Sequence, residues 1–254
     1  MFFIFFFILG SIWGSFSNVC IYRLPIDRDV IFSRSVCPKC NNTIRWYDNI
    51  PLISYLLLKA KCRNCNYKIN TQYFVVELLS AFTFLIIYYF YGLTISSLLL
   101  LILSVFFIVI FFIDLKHYII PNELTYPLMF IGFIKSFDPN LNQLIFPNFI
   151  NSLIGGIFGY LIIWIIIFFY KKFKKKEGMG LGDAKLLGGI GFWFGWVSIP
   201  FVIFTSSIVA LLFVMPSLLN KTRKMSSQIP FGPFIIIGCI VYIIFANQIK
   251  YFLF

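Results

Sequence analysis

Long apolar stretches recur along nearly the whole chain and are separated by short polar segments. A helix that crosses a bilayer needs about 20 predominantly apolar residues, and hydropathy on that basis predicts eight spans, of which the fourth and sixth are short. They cover residues 1–19, 74–91, 95–113, 124–137, 149–170, 184–197, 199–219 and 231–249. Residues 184–219 fit either one long helix or two spans hinged at residues 198–200, because Pro200 ends or kinks a helix. The pattern predicts an all-α polytopic membrane protein.

One longer hydrophilic segment, residues 20–73, interrupts this pattern after the first span. We therefore expect three parts: a first transmembrane helix at 1–19, a compact cytoplasmic insert at 20–73, and a membrane domain of about seven helices at 74–254. The first segment has no basic region before its apolar run and no small-residue cleavage pattern, so it is interpreted as a retained span and not as a signal peptide.

Composition and charge agree with a membrane protein. Hydrophobic residues make up 60% of the chain, and the formal net charge is +12. Under the eight-span layout, all Lys and Arg residues except Lys135 and Lys250 fall on one face, including the KTRK run at 221–224. Positive residues collect on the cytoplasmic side, so we expect the insert to face the cytoplasm. The charge then indicates topology and attraction to anionic lipid, not nucleic-acid binding.

The insert contains two Cys-x-x-Cys pairs, CPKC at 37–40 and CRNC at 62–65. This spacing is typical of a structural zinc site with four thiolate ligands. An insert of this size needs a stabilising metal ion or cross-link, because its hydrophobic core is small. The predicted ligands are Cys37, Cys40, Cys62 and Cys65. Two disulfides or a redox pair remain the alternative, although a cytoplasmic location argues against them. Cys20 and Cys239 are expected to be packing residues.

Two acids lie at span ends on the same predicted side of the membrane, Asp114 in FFIDLKHYIIPN and Asp183 in GMGLGDAKLL. Each has an ordinary explanation, a solvated helix end for Asp114 and a helix N-cap for Asp183. The glycines at 178, 180 and 182 permit positive φ and a close approach of another segment. Two carboxylates that meet in a low-dielectric site share one proton, which permits water activation for peptide hydrolysis.

These segments, together with several others, carry a resemblance to a known family. The segments are GxGD at 180–183, FIDLKHYIIPN, GSFSNVCIYRLP at 14–25, WYDNIPLISYLLLKAKC at 46–62, YFVVELLSA at 73–81 and PFGPF at 230–234. Along the chain they have the same order as in bacterial type IV prepilin leader peptidases and N-methyltransferases, which are GxGD intramembrane aspartyl proteases, and this chain resembles that family. The resemblance implies that Asp114 and Asp183 are catalytic, that Gly180 and Gly182 support them, and that the four insert cysteines bind zinc.

The same resemblance implies a substrate and a second reaction. The substrate is a prepilin or pseudopilin whose basic leader is cleaved after a glycine at the cytoplasmic face, in a type IV pilus or protein secretion system. The new N-terminal amine is then methylated with S-adenosylmethionine, for which the sequence indicates no binding residues. Departures from the family pattern, such as Gly188 and Gly189 after KLL, concern helix packing.

Several alternatives stay open at this point. The chain could be a leader peptidase without methyltransferase activity, or a transporter whose paired acids bind an ion. Glu77 is either an active-site or methylation residue or an acid in the first turn of a helix, and His117 is expected at the membrane interface. The sequence does not indicate the pilin or the oligomeric state.

Overall fold

The structure, a computed structural model, describes residues 2–141, 145–175, 180–219 and 229–253, and most of this part of the chain is helical. The α-helices are α1 (Phe2–Arg23), α2 (Ile53–Leu57), α3 (Thr71–Tyr91), α4 (Ile95–His117), α5 (Asn122–Ile134), α6 (Phe149–Lys174), α7 (Leu181–Phe194), α8 (Ser198–Leu219) and α9 (Gly232–Leu253). Short 3₁₀ turns occur at Leu24–Ile26, Trp46–Asn49 and Lys135–Phe137. The predicted all-α class is confirmed.

Within the described residues, five helices are long and apolar enough to cross a membrane, as expected for a multi-pass membrane protein. They are Phe2–Ile26, Thr71–Tyr91, Ile95–His117, Phe149–Lys174 and Ser198–Pro216. Each of the eight predicted spans corresponds to one of the longer helices, but α5 and α7 have only 13 and 14 residues. A count of eight crossings therefore stays a prediction. The KTRK run and Gly178 lie outside the described residues.

The ambiguous stretch at 184–219 forms two helices. Helix α7 ends before Gly195, whose φ of 81° is unfavourable for other residues. Pro200 lies in the first turn of α8, where a proline is tolerated because the amide groups there lack helical acceptors. The predicted hinge at 198–200 is thus wrong in position, since glycine makes the break and the proline follows it.

The helices and the insert form two compact units, residues 1–109 and 110–254. In the first unit, α1 and α3 approach closely through small residues: a Cβ on Gly14 would lie 2.6 Å from the Cα of Glu77. Close backbone approach of this kind is typical of helix pairs in membranes. At the other end of this pair, the Phe6 ring stacks on Tyr88 with ring centroids 4.3 Å apart.

One buried arginine organises the beginning of the insert. The Arg23 guanidinium donates hydrogen bonds to the carbonyl oxygens of Asp29, Val30, Ser33 and Arg34. A buried guanidinium needs such partners, and the side chain thereby folds residues 29–34 back onto the end of α1. From the sequence, Arg23 was expected only to mark topology.

In the second unit, α7 lies between α5 and α6. A Cβ on Gly159 of α6 would lie 2.7 Å from the carbonyl oxygen of Leu187, and one on Gly188 would lie 3.1 Å from the Cβ of Tyr160. On the other side, Trp193 Nε1 donates to the carbonyl of Leu128 at 2.8 Å. Gly188, which departs from the family pattern, is therefore a helix-packing position.

Candidate active site and cysteine cluster

Asp114 lies in the last turn of α4 and is buried, with 4% of its surface exposed. Its Oδ2 accepts a hydrogen bond from the backbone N–H of Gly232, the first residue of α9, at 2.9 Å. The first N–H groups of a helix have no intrahelical acceptor, so they bind anionic groups readily. The interpretation of Asp114 as a solvated helix-end acid is wrong, because the side chain is buried against a second helix.

Asp183 lies in the first turn of α7 and is also buried, with 8% of its surface exposed. The N-cap of α7 is Gly180, so the N-cap interpretation of Asp183 is wrong. A carboxylate in the first helical turn still interacts favourably with the helix dipole.

The two glycines of the GxGD segment behave differently from each other. Neither uses the positive φ that glycine permits, since Gly180 has φ −80° and Gly182 is not among the residues with positive φ. A Cβ on Gly182 would lie 2.9 Å from the Cβ of Ile120, whereas one on Gly180 would meet nothing nearer than 3.8 Å. The predicted close approach therefore holds at Gly182.

Ile120 connects the surroundings of the two acids. A Cβ on Gly232 would lie 3.1 Å from Ile120 Cδ1 and 2.7 Å from Asp114 Oδ2, and Ile120 also packs on Gly182. The carboxylates of Asp114 and Asp183 are close enough to interact electrostatically. Ile120 and Gly232 had no role in the predictions from sequence, where the local signal at each is the proline that follows it.

A lysine fixes the beginning of α7 to the beginning of α5. Lys185 Nζ donates to Asn122 Oδ1 at 2.6 Å and to the Tyr126 hydroxyl at 3.1 Å. Because Lys185 follows Asp183 by two residues, these bonds restrain the turn that carries the acid. From the sequence, Lys185 was expected only to mark topology. His117, at the exposed end of α4, remains without an assigned role.

Glu77 belongs to the first compact unit. It lies in the second turn of α3, so the first-turn interpretation is wrong. Its side chain is 8% exposed, and its Oε2 accepts the backbone N–H of Leu52 at 2.8 Å. The carboxylate therefore connects the insert to a membrane-spanning helix.

The four insert cysteines come together as predicted. Their Sγ atoms all lie within 4.8 Å of one another, and those of Cys37 and Cys65 are 3.8 Å apart. All six cysteines are free, so the disulfide alternative is not formed. Four thiolates at about 2.3 Å from a tetrahedral zinc are separated by about 3.8 Å, and the cluster fits a metal of this kind.

The two cysteine pairs have the same local backbone structure. The N–H of Cys37 bonds to the carbonyl of Asn42 at 3.0 Å, and the N–H of Cys62 bonds to that of Tyr67 at 2.8 Å. The residue after each pair, Asn41 or Asn66, has φ near 55°, a conformation that asparagine tolerates well. Two equivalent turns thus direct their thiols to a common centre.

An ion pair joins the second turn to the segment between the cysteine pairs. Arg63 binds Asp48 through both carboxylate oxygens, with Nη2 to Oδ1 at 2.6 Å and Nε to Oδ2 at 2.9 Å. Hydrogen bonding from Arg63 lowers the pKa of Asp48 below its usual value. The bidentate geometry restrains the turn at the second Cys-x-x-Cys pair.

Comparison with known proteins covers both halves of the chain. Residues 8–91 match the bacterial peptidase A24 N-terminal domain, and residues 101–215 match the type IV leader peptidase family. Asp114 and Asp183 fall in the second matched region.

Curated relatives of the chain include three proteins with the name prepilin leader peptidase/N-methyltransferase. The protein of Vibrio cholerae serotype O1 is 38% identical and covers 94% of each chain. That of Pseudomonas aeruginosa is 31% identical, over 95% of this chain and 90% of the relative. That of Neisseria gonorrhoeae is 33% identical, over 89% and 84%.

No solved structure shows a significant match to the chain. The relatives, however, extend over nearly its full length at more than 30% identity, and the matched regions contain both buried acids and all four clustered cysteines. On this evidence the chain belongs to the type IV leader peptidase family.

Proposed function

We propose that this protein is an intramembrane aspartic endopeptidase that removes the basic leader of type IV prepilins or pseudopilins, and that it then methylates the new N-terminus. The observation that carries the proposal is the pair of buried acids, Asp114 and Asp183, at the ends of two apolar helices. A buried carboxylate in a membrane helix costs about 2.5 to 3.5 kcal/mol on insertion scales, so two that interact indicate a functional site.

The surroundings of the acids assign them different roles. The N–H of Gly232 stabilises the ionised form of Asp114, and a hydrogen bond to a charged group contributes about 1.5 to 3 kcal/mol. Asp183 interacts with the α7 dipole, which contributes about 0.3 to 1 kcal/mol, and with the backbone of Gly180. The nearby carboxylate of Asp114 disfavours a second ionised carboxylate at this site. Asp114 is therefore the base that takes a proton from the attacking water, and Asp183 is the acid that hydrogen-bonds the scissile carbonyl.

Gly180 and Gly182 support this site in different ways. Gly182 leaves space for Ile120, which also contacts Gly232. Gly180 starts the helix that carries Asp183. Both acids are thereby held on helix ends instead of on loops, which favours the precise geometry that water activation needs.

The substrate and its orientation follow from charge and from the names of the relatives. Lys and Arg concentrate on the predicted cytoplasmic side, so the active site and the insert face the cytoplasm of the inner membrane. A basic leader stays on that side, and the peptide bond after its final glycine then reaches the depth of the two acids. Pilins and pseudopilins of pilus or secretion systems have this form, with an apolar helix after the cleavage point.

Methyl transfer requires S-adenosylmethionine, and the relatives named prepilin leader peptidase/N-methyltransferase support this second activity. When bound, the cofactor supplies an electrophilic methyl group to the new N-terminal amine. A methylated product from purified protein, a mature pilin N-terminus and labelled methyl donor would separate the two-activity enzyme from one that only cleaves.

The cysteine cluster is proposed to bind one structural zinc ion. Cys37, Cys40, Cys62 and Cys65 fill a tetrahedral shell and leave no position for substrate or water. Zinc at this site holds the insert folded and takes no part in hydrolysis.

Cleavage of a prepilin by purified protein in proteoliposomes tests the proposal. Asp114→Asn and Asp183→Asn should each reduce the cleavage rate by at least about 100-fold, the lower range for acid–base catalysis, while Asp27→Asn, an exposed acid of the insert, should not. Normal cleavage by either active-site variant would refute the peptidase. Ion-dependent flux in the same liposomes, without cleavage, would support the transporter that the family relationship does not favour.

A further inference from the structure

The backbone at Leu52 adopts an unusual conformation. Leu52 has φ 62° and ψ −50°, and the N–H of Ile53 bonds to the carbonyl of Pro51 at 2.6 Å. These values describe a γ-turn with positive φ, which is rare and strained for a residue with a side chain. The carboxylate of Glu77 holds the turn by accepting the Leu52 N–H. Helix α2 begins immediately after this turn.

The same contact fixes the level of α2 along α3. Glu77 lies six residues after the start of α3, which corresponds to about 9 Å along the helix axis. One turn nearer to that start, the ring of Phe74 stacks on Tyr55 of α2 with centroids 5.2 Å apart. Because α3 is a membrane-span candidate over its whole length, α2 lies beside the first two turns of a membrane helix.

The face of α2 that α3 does not cover is apolar. Ile53, Leu56 and Leu57 are 56%, 63% and 78% exposed, and their spacing places them on one side of the helix. Such a cluster is unfavourable in water, where each side chain would gain about 1.5 to 3 kcal/mol from burial. A helix of five residues is too short to cross a bilayer. Because α2 lies beside the first turns of the membrane-span candidate α3, the partner of this face is expected at the membrane surface.

Charge around α2 matches a lipid partner. Lys59 and Lys61 follow the helix closely and are exposed. Cationic residues beside an apolar helix face are typical of segments that lie in the interface of anionic membranes.

From the level of α2, its exposed apolar face and the adjacent lysines, we propose that α2 is an interfacial helix that inserts Ile53, Leu56 and Leu57 into the lipid layer. Glu77 is the positioning residue that holds the helix at this depth through Leu52. The insert is then attached to the membrane at three places, the ends of α1 and α3 and the face of α2.

Photo-crosslinking in proteoliposomes of phosphatidylethanolamine and phosphatidylglycerol tests this proposal. The photoreactive amino acid p-benzoylphenylalanine is placed at Leu57, with Ile53 as a second position on the same face. Phe82, half exposed on the span α3, is the lipid-facing reference. Asn42, exposed in the turn at the first Cys-x-x-Cys pair, is the reference outside α2. Unchanged thermal melting shows that each variant folds, and adducts are identified by mass spectrometry.

The expected result is a lipid adduct at positions 57 and 53 with a yield comparable to that at 82 and several-fold above that at 42. A yield at both α2 positions no higher than at position 42 would overturn the proposal. A predominant crosslink to a second copy of the chain, or to added prepilin, would overturn it as well and identify the partner of this face. Glu77→Gln, which keeps a weaker acceptor, should preserve the lipid adduct, and Glu77→Ala should reduce it severalfold.

Discussion

The backbone N–H of Gly232 donates to Oδ2 of Asp114 at 2.9 Å, so the first residue of α9 holds an acid in the last turn of α4, 118 positions earlier in the chain. This contact brings two distant segments to one site without any side chain on the donor. The bond involves only Oδ2 of the carboxylate.

Gly232→Ala should impair cleavage strongly. The new Cβ would lie 2.7 Å from Asp114 Oδ2 and 3.1 Å from Ile120 Cδ1, so the carboxylate must move. A displacement of about 1 Å in a catalytic group costs about 100-fold in rate, and we expect a loss of this order in the rate of prepilin cleavage. A variant that cleaves at the normal rate would show that the Gly232 contact does not position Asp114.

The two glycines of the GxGD segment should respond differently to the same substitution. Gly182→Ala places a Cβ 2.9 Å from Ile120 Cβ, but Gly180→Ala meets nothing nearer than 3.8 Å and has a backbone conformation suited to alanine. Overpacking costs about 1 to 3 kcal/mol. Gly182→Ala should therefore lower both the melting temperature and the cleavage rate, and Gly180→Ala should lower them much less. Equal losses would contradict the packing explanation.

Much of this arrangement was predictable from the sequence because apolar length and charge distribution are local properties. The helices and the four cysteines followed from such patterns, as did the choice of Asp114 and Asp183. The burial of Asp114 and the roles of Gly232 and Ile120 did not, because they depend on contacts between segments far apart in the chain. The γ-turn at Leu52 was also missed, since leucine gives no signal for positive φ and the turn exists only through its hydrogen bonds.

Loss of one cysteine should release the metal and leave the membrane helices in place. Cys37→Ser removes a thiolate from a shell of four, and binding of structural zinc contributes about 10 to 16 kcal/mol to folding of small zinc domains. We expect about one zinc per chain in the parent protein by elemental analysis and much less in this variant. Protease digestion should then cut the insert of Cys37→Ser preferentially. Cys20→Ser, at a buried position in α1, should retain zinc, and zinc loss there would contradict the assigned ligand set.

The ion pair between Asp48 and Arg63 should stabilise the insert, and this stabilisation should change with pH only where Asp48 titrates. Arg63 lowers the pKa of Asp48, so this stabilisation is fully present above the ordinary aspartate value near 3.8 and is lost as the pH falls from there through the lowered pKa. Arg63→Met should accelerate zinc loss to a chelator, and the ratio of its rate to that of the parent should stay constant between about pH 7 and 5.5. Arg28→Met, at an exposed arginine of the insert, should match the parent. A ratio that changes across this range would show that another titrating group, and not the Asp48 carboxylate, responds to the loss of Arg63.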